Sequence, residues 1–273
     1  MKKLKLGLKG DVSNTQVSNR LQQEMDIYEI HLHEDDLFGA KYKYLDNLIT
    51  GIQSTGVKVY LHQPMMIHGQ MLHVNAVDSK IADYLTLSTR ILVELCEKHD
   101  IYTVVHMNYT SPENNPFREV QHPRREALIE TIQNMIAFDE HIGKGRILWE
   151  NGIMGVGGYM PDLELARLLS KTSLKLCFDV SHACISLNGD NDKLVETIEV
   201  LKENIEYFHV VDSMGKKHDS LIIGQGIIDF ERIQDYILEK DYIYETGLAD
   251  FNDCNEMMES HRVFREMYIL PVH

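Results

Sequence analysis

The sequence alternates short apolar runs, rich in β-branched and aromatic residues, with longer segments of helical periodicity, from residue 4 to its end. Eight runs have the composition of strands: 4–8, 27–32, 57–61, 101–106, 146–150, 174–179, 207–211 and 242–245. The segments between them, such as 78–98 and 124–141, repeat apolar residues at helical spacing. Repeated strand–helix units of this kind predict an α/β fold with parallel strands.

Eight strand–helix units in 273 residues, without a linker or low-complexity tract, favour a closed (β/α)8 TIM barrel that forms one domain over residues 1–273. An open doubly wound sheet is the alternative. A dinucleotide-binding sheet would carry G-x-G-x-x-G after its first strand, and Gly7 and Gly10 do not supply that pattern. We therefore expect no nicotinamide cofactor.

The charge balance restricts the partners of the chain. It has 42 acidic and 27 basic residues, a formal net charge of −15, which disfavours duplex DNA because a polyanion binds basic surfaces. No apolar run approaches the roughly 18 residues of a membrane span, and charges interrupt the start of the chain where a signal peptide is apolar. The four cysteines form no Cys-x-x-Cys pair. These features predict a cytoplasmic protein with reduced cysteines and no membrane partner.

Polar residues recur at the carboxyl ends of six consecutive predicted strands, where TIM barrels carry their active sites. They are His62, His106, Glu150, Asp179, His209 with Asp212, and Glu245. Several carboxylates buried around one axis repel one another and lose hydration, unless a cation or protons neutralise them. Glu150, Asp179, His209 and Glu245 supply three carboxylates and one imidazole, which suits one divalent ion, Mn²⁺, Mg²⁺, Co²⁺ or Zn²⁺.

Further candidates lie in the loops that follow these strands. His182 comes three residues after Asp179 and can reach the same site, or it can simply occupy the first turn of a helix capped by Ser181. The turn at 224–226, Gly-Gln-Gly, precedes a helix whose start could hold a phosphate or a sugar hydroxyl. Basic loop residues could meet an anionic substrate or remain solvated: Lys216, Lys217, His218, Arg118, Arg124 and Arg125.

Five segments together resemble the xylose-isomerase-like TIM barrel superfamily, which includes sugar isomerases and epimerases and the endonuclease IV type of AP endonuclease. They are ILWEN at 147–151, LCFDVSHA at 176–183, FHVVDS at 208–213, GQGIIDF at 224–230 and YET at 244–246. The resemblance to the isomerases and epimerases implies that Glu150, Asp179, His209 and Glu245 hold the metal. It further implies that Glu150 and Glu245 exchange a proton with a sugar or sugar phosphate through an enediolate.

The endonuclease branch implies a different site. His62 and His106 match positions at which those enzymes bind additional zinc, so that Glu150 would bridge two or more zinc ions in a phosphoesterase. His182, Asp212 and His218 are then further candidates for a metal or for substrate. The loop 216–220 lacks the Asp-x-His pair of those enzymes, and Gln225 replaces a glutamate common in both branches. A non-catalytic ligand-binding barrel and a homo-oligomer remain open.

Overall fold

A computed structural model describes residues 4–108 and 123–269, and in it eight parallel strands close a barrel. The strands are β1 Gly7–Gly10, β2 Ile27–His31, β3 Lys58–His62, β4 Tyr102–His106, β5 Ile147–Glu150, β6 Leu176–Asp179, β7 Ile205–Val210 and β8 Asp241–Tyr244. Each strand pairs with the next in the chain, and β8 returns to β1 through the pair Leu8 and Tyr244. The predicted TIM barrel is confirmed.

Helices surround the barrel and pack one apolar face against it. They are α1 Asn14–Leu21, α2 Ala40–Ser54, α3 Ser79–His99, α4 Arg125–Phe138, α5 Glu164–Leu169, α6 Val180–Ser186, α7 Asn191–Leu201, α8 Phe230–Leu238 and α9 Asn255–Ile269. A π-helical turn, Asp139–Gly143, extends α4, and a two-stranded hairpin, Met66–Ile67 with Gln70–Met71, follows β3. Across the described ranges, no helix combines the length and the apolar character needed to span a bilayer.

The barrel interior is filled in layers because alternate residues of a strand point inward. One apolar layer contains a residue from each of seven strands: Ile27, Tyr60, Val104, Leu148, Cys177, Tyr207 and Ile243. Two positions further along each strand, the next inward layer is polar: Glu29, His62, His106, Glu150, Asp179, His209 and Glu245. The fold therefore gathers the residues predicted from the strand ends into one layer, except Asp212.

The first strand lies later in the chain than the sequence predicts, at Gly7–Gly10 instead of 4–8. The alternating leucines before Gly7 favour an earlier strand, whereas glycine and lysine have low strand propensity. The other predicted strands overlap the observed ones within a few residues. The four cysteines are buried and unpaired, as expected for reduced side chains.

Candidate metal centre and adjoining cavity

Four of the predicted residues converge at the carboxyl ends of β5 to β8. Glu150, Asp179, His209 and Glu245 each offer one ligand atom, and these atoms lie within 4.8 Å of one another. His209 Nδ1 is 2.7 Å from Glu245 Oε2, 3.5 Å from Glu150 Oε1 and 3.9 Å from Asp179 Oδ2. Solvent hardly reaches the side chains of Glu150, Asp179 and His209, whereas the side chain of Glu245 is 21% exposed. This is the geometry of a mixed oxygen and nitrogen site.

The electrostatics of this cluster fit a divalent cation. Burial, followed by the charges of Glu245 and Glu150, raises the pKa of Asp179 well above its usual value. Asp179 Oδ2 is buried without a hydrogen bond to any part of the chain that the structure describes. His209 Nδ1 and Glu245 Oε2 meet at ion-pair distance but lack the angles of a hydrogen bond. A cation between these atoms would satisfy all of them.

Two charged residues that the strand-end analysis missed complete this layer. Glu29 of β2 is fully buried, and its Oε2 accepts a 2.8 Å hydrogen bond from His209 Nε2. Lys9 of β1 pairs with Glu245, and its Nζ lies 3.9 Å from Glu29 Oε1. Burial alone would lower the pKa of Lys9, but the charges of Glu245, Glu29 and Glu150 raise it overall, so the ammonium stays charged.

A second ligand group lies on the other side of Glu150. Nε2 of His62 and Nε2 of His106 are each 3.2 Å from Glu150 Oε2, and the three residues could hold a metal. His62 Nδ1 lies 2.9 Å from the Gln63 carbonyl, which directs Nε2 to the carboxylate. Burial lowers the pKa of His106 to about 3, although Glu150 opposes the shift. His106 is therefore neutral, the form that binds metals.

His182 and His218 approach each other beside the cluster. Nε2 of His182 is 3.2 Å from Nε2 of His218. Nδ1 of His182 is 2.8 Å from the Asn151 carbonyl and 3.4 Å from Glu150 Oε1. Helix α6 begins directly after β6, and Asp179 caps it by accepting a 2.6 Å hydrogen bond from the His182 amide. The alternative of a cap by Ser181 is not what the structure has, because the helix starts two residues earlier than that cap requires.

Asp212 organises the glycine turn instead of joining the cluster. Its carboxylate accepts backbone N–H groups of Ser213, Gly224, Gly226 and Ile228 at 2.8, 2.9, 2.8 and 3.3 Å. A Cβ atom at Gly226 would lie 2.2 Å from Asp212 Oδ1, so the turn requires glycine there. Gln225 is exposed at the tip of this turn.

A cavity of about 500 Å³ opens beside the candidate metal ligands. It is lined by residues of β1, β2, α1, α9 and the loops after β1, β2, β7 and β8: Lys9, Gly10, Asp11, Gln16, Arg20, His31, His33, Ser220, Glu245, Thr246, Gly247, Leu248, Phe251 and Met257. The loop lysines Lys216 and Lys217 are exposed outside it, Arg125 pairs with Glu164, and Arg118 lies outside the described residues. Glu245 thus belongs to both the ligand cluster and the cavity.

Comparisons with known proteins agree with the barrel fold. The family described as "Xylose isomerase-like TIM barrel" matches residues 25–267. Among solved structures, a D-tagatose 3-epimerase-like protein is 20% identical over 97% of both chains, with a TM-score of 0.70. The TTHB071 protein from Thermus thermophilus, soaked with ZnCl₂, is 14% identical over 98% of this chain and all of its own, with a TM-score of 0.68.

A third solved structure is D-psicose 3-epimerase with D-tagatose from Clostridium cellulolyticum H10, which is 10% identical over 97% of both chains, with a TM-score of 0.65. No curated protein sequence matches the chain. At these identities the likeness to solved structures establishes the barrel fold and leaves the reaction to the chemistry of the site.

Proposed function

We propose that this chain, which belongs to the xylose isomerase-like TIM barrel family, is a divalent-metal-dependent isomerase or epimerase of a sugar or sugar phosphate. One observation carries the proposal: Glu245 lies in the ligand cluster and also lines the 500 Å³ cavity beside Lys9. A carboxylate in this position can contact a bound substrate close to the metal, as proton transfer to and from carbon requires.

The metal would be held by Glu150, Asp179, His209 and Glu245, with Mn²⁺, Mg²⁺, Co²⁺ and Zn²⁺ as candidates. When bound, a divalent ion polarises a carbonyl and its neighbouring hydroxyl, which makes the adjacent C–H group more acidic. We assign removal of that proton to Glu245. The ammonium of Lys9 lines the same cavity and stabilises negative charge that develops on the substrate oxygens of the enediolate.

Return of the proton distinguishes isomerisation from epimerisation. One carboxylate can remove a proton from one carbon and return it to the next, so Glu245 alone suffices for an aldose–ketose isomerase. Inversion at a single carbon needs a proton donor on the opposite face; we assign this part to Glu150, which must carry a proton when the substrate is bound. Because Glu150 is only 1% exposed and Glu245 lines the cavity, the geometry favours Glu245 as the group that removes the proton.

The size of the cavity and the charge of the chain favour a small substrate. A site of about 500 Å³ falls within the ordinary range of small-ligand pockets, and the net charge of −15 disfavours duplex DNA. One of the matched structures is an epimerase with D-tagatose, which supports a carbohydrate as the substrate. A role in carbohydrate metabolism follows from the proposed reaction, and a cytoplasmic location and a homo-oligomer remain predictions from sequence.

A zinc phosphoesterase is the second candidate, and the position of Glu150 favours it. Glu150 Oε2 lies 3.2 Å from Nε2 of His62 and of His106, while Oε1 faces His209, so one carboxylate separates two groups of ligands. A bridging carboxylate of this kind is found in two-metal phosphoesterases, in which the ions hold the attacking and leaving oxygens. This second function requires two or more zinc ions per chain.

The test combines metal content with isotope exchange. Elemental analysis of the wild-type protein and of a His62→Ala/His106→Ala variant should give about one metal per chain in both. Ketoses and their phosphates incubated with the enzyme in ²H₂O should gain deuterium at a carbon next to the carbonyl. Two or more zinc ions, falling in the double variant, together with phosphoester hydrolysis would replace the isomerase proposal. A protein with neither metal nor exchange would instead be a non-catalytic barrel.

A further inference from the structure

We propose that Glu29 is a positioning residue that makes Nδ1 of His209, and not Nε2, the metal ligand. The inference rests on the metal site of the proposed function and adds a residue outside the ligand set. Glu29 lies in β2, on the far side of β1 and β8 from His209 in β7, so the contact spans the barrel interior.

The two nitrogen atoms of His209 face different partners. Nε2 is 2.8 Å from Glu29 Oε2, whereas Nδ1 faces Glu245 Oε2 at 2.7 Å and Glu150 Oε1 at 3.5 Å. A carboxylate only accepts hydrogen bonds, so the contact with Glu29 requires a hydrogen on Nε2. With that hydrogen on Nε2, a ring that binds a metal does so through Nδ1, which points into the ligand cluster.

Two neighbouring side chains hold the charge of Glu29 in place. Glu29 accepts a hydrogen bond from His209, and Lys9, which pairs with Glu245, lies 3.9 Å from Glu29. A fully buried carboxylate is costly without such partners. The hydrogen bond from His209 and the nearby charge of Lys9 together permit Glu29 to stay charged next to the candidate ligands. Lys9 pairs with Oε1 of Glu245, which leaves Glu245 Oε2 directed at the cluster.

A carboxylate behind a histidine ligand fixes the ring orientation and increases the basicity of the ligating nitrogen. Its loss typically lowers metal affinity by about 10–100-fold. Glu29→Gln keeps an oxygen that can accept from Nε2 but removes the charge, so zinc affinity should fall by about 10-fold. Glu29→Ala removes the acceptor as well, and zinc affinity should fall by about 100-fold.

The experiment measures Zn²⁺ affinity by competition with a chelator, and the Nε2–H proton of His209 by NMR of ¹⁵N-histidine-labelled protein with and without Zn²⁺. The wild type and Glu29→Gln should show a hydrogen-bonded, downfield Nε2–H signal in both states, and Glu29→Ala should lose it. Glu206→Gln, which removes an exposed carboxylate of the same strand as His209, should match the wild type in both measurements.

The inference would be overturned if Glu29→Gln and Glu29→Ala bound zinc as tightly as the wild type. It would also be overturned if His209 carried its hydrogen on Nδ1 in the zinc complex. If Glu29→Ala does not fold, the near-isosteric Glu29→Gln still decides through its affinity. A wild-type protein that binds no metal contradicts the proposed function instead. In that case the Nε2–H signal of the metal-free protein still shows whether Glu29 orients the ring.

Discussion

His209 donates a 2.8 Å hydrogen bond from Nε2 to Oε2 of Glu29, and both side chains are completely buried. The pair joins the candidate ligands at the ends of β5 to β8 to strand β2, which β1 and β8 separate from β7. Buried polar groups are costly without partners, and this contact satisfies one oxygen of Glu29 and one nitrogen of His209. The energetic weak point of the polar layer is Asp179, whose Oδ2 has no hydrogen-bonding partner in the described ranges.

Glu245→Gln should abolish proton exchange while retaining most of the sugar binding. The amide cannot accept a proton from carbon, and loss of a general base typically costs about 10²–10⁴-fold in rate, so deuterium incorporation should fall at least about 100-fold. Mass spectrometry of the sugar measures exchange, and calorimetry measures binding. Glu231→Gln, on the exposed start of α8, is the matched control and should exchange at the wild-type rate. Undiminished exchange in Glu245→Gln would remove the assignment.

Asp179→Asn should stabilise the metal-free protein and weaken metal binding. Burial and the charges of Glu245 and Glu150 raise the pKa of Asp179. This carboxyl group therefore destabilises the folded protein when no metal is bound. An amide at this position carries no charge and still accepts the His182 N–H, so the metal-free variant should be more stable than the metal-free wild type. In thermal unfolding, the variant should have the higher Tm without metal and little further gain with Zn²⁺. A lower Tm in the metal-free variant contradicts this account.

The sequence predicts the barrel and its strand-end ligands because both follow from local patterns. The apolar runs and helical segments alternate along the chain; Glu150, Asp179 and Glu245 each close such a run, and His209 lies within one. The parallel order then requires their side chains to meet at one end. Their distances and roles in catalysis do not follow from the pattern, because these depend on register and on contacts across the barrel.

Glu29 and Lys9 were missed for two different reasons. Glu29 lies within β2 between buried residues, and only the two-residue alternation from Ile27 shows that it faces inward with the ligands. Lys9 falls outside the predicted first strand, which was placed too early. Counting two residues onward from each inward-facing apolar residue, here from Ile27, would have identified Glu29. Finding Lys9 requires the observed register of β1, in which Lys9 pairs with Glu29 of β2.

Asp241, at the opposite end of the barrel, should make stability depend on acid pH. Burial would raise its pKa, but hydrogen bonds from Lys5, Lys58 and Tyr60 lower it to about 2, against an ordinary value of 3.8. A lowered folded pKa stabilises the protein above about pH 4, and this contribution disappears as the pH falls from about 4 to about 2. Asp241→Asn should therefore cost about 2 kcal/mol at pH 7 and progressively less below about pH 4.

Urea unfolding of the metal-free wild type and Asp241→Asn at a series of pH values measures this difference directly. The matched control is Asp235→Asn on α8, which should differ little from the wild type at any pH. A cost of Asp241→Asn that stays constant between pH 7 and pH 3 would mean that the lost hydrogen bonds, and not the charge, account for it.

Asp212→Ala should destabilise the fold without changing metal content. The carboxylate receives the N–H groups of Ser213, Gly224, Gly226 and Ile228, and alanine would leave these donors without their acceptor. With each unsatisfied buried donor costing about 1–3 kcal/mol, partly relieved by water, the loss should be about 2–4 kcal/mol. Gly226→Ala should act similarly, since its Cβ would lie 2.2 Å from Asp212 Oδ1. Elemental analysis of the folded variants distinguishes a metal ligand from a residue that only organises the turn. If Asp212 were a metal ligand, the metal content of Asp212→Ala would fall. If Asp212 only organises the turn, the metal content stays unchanged.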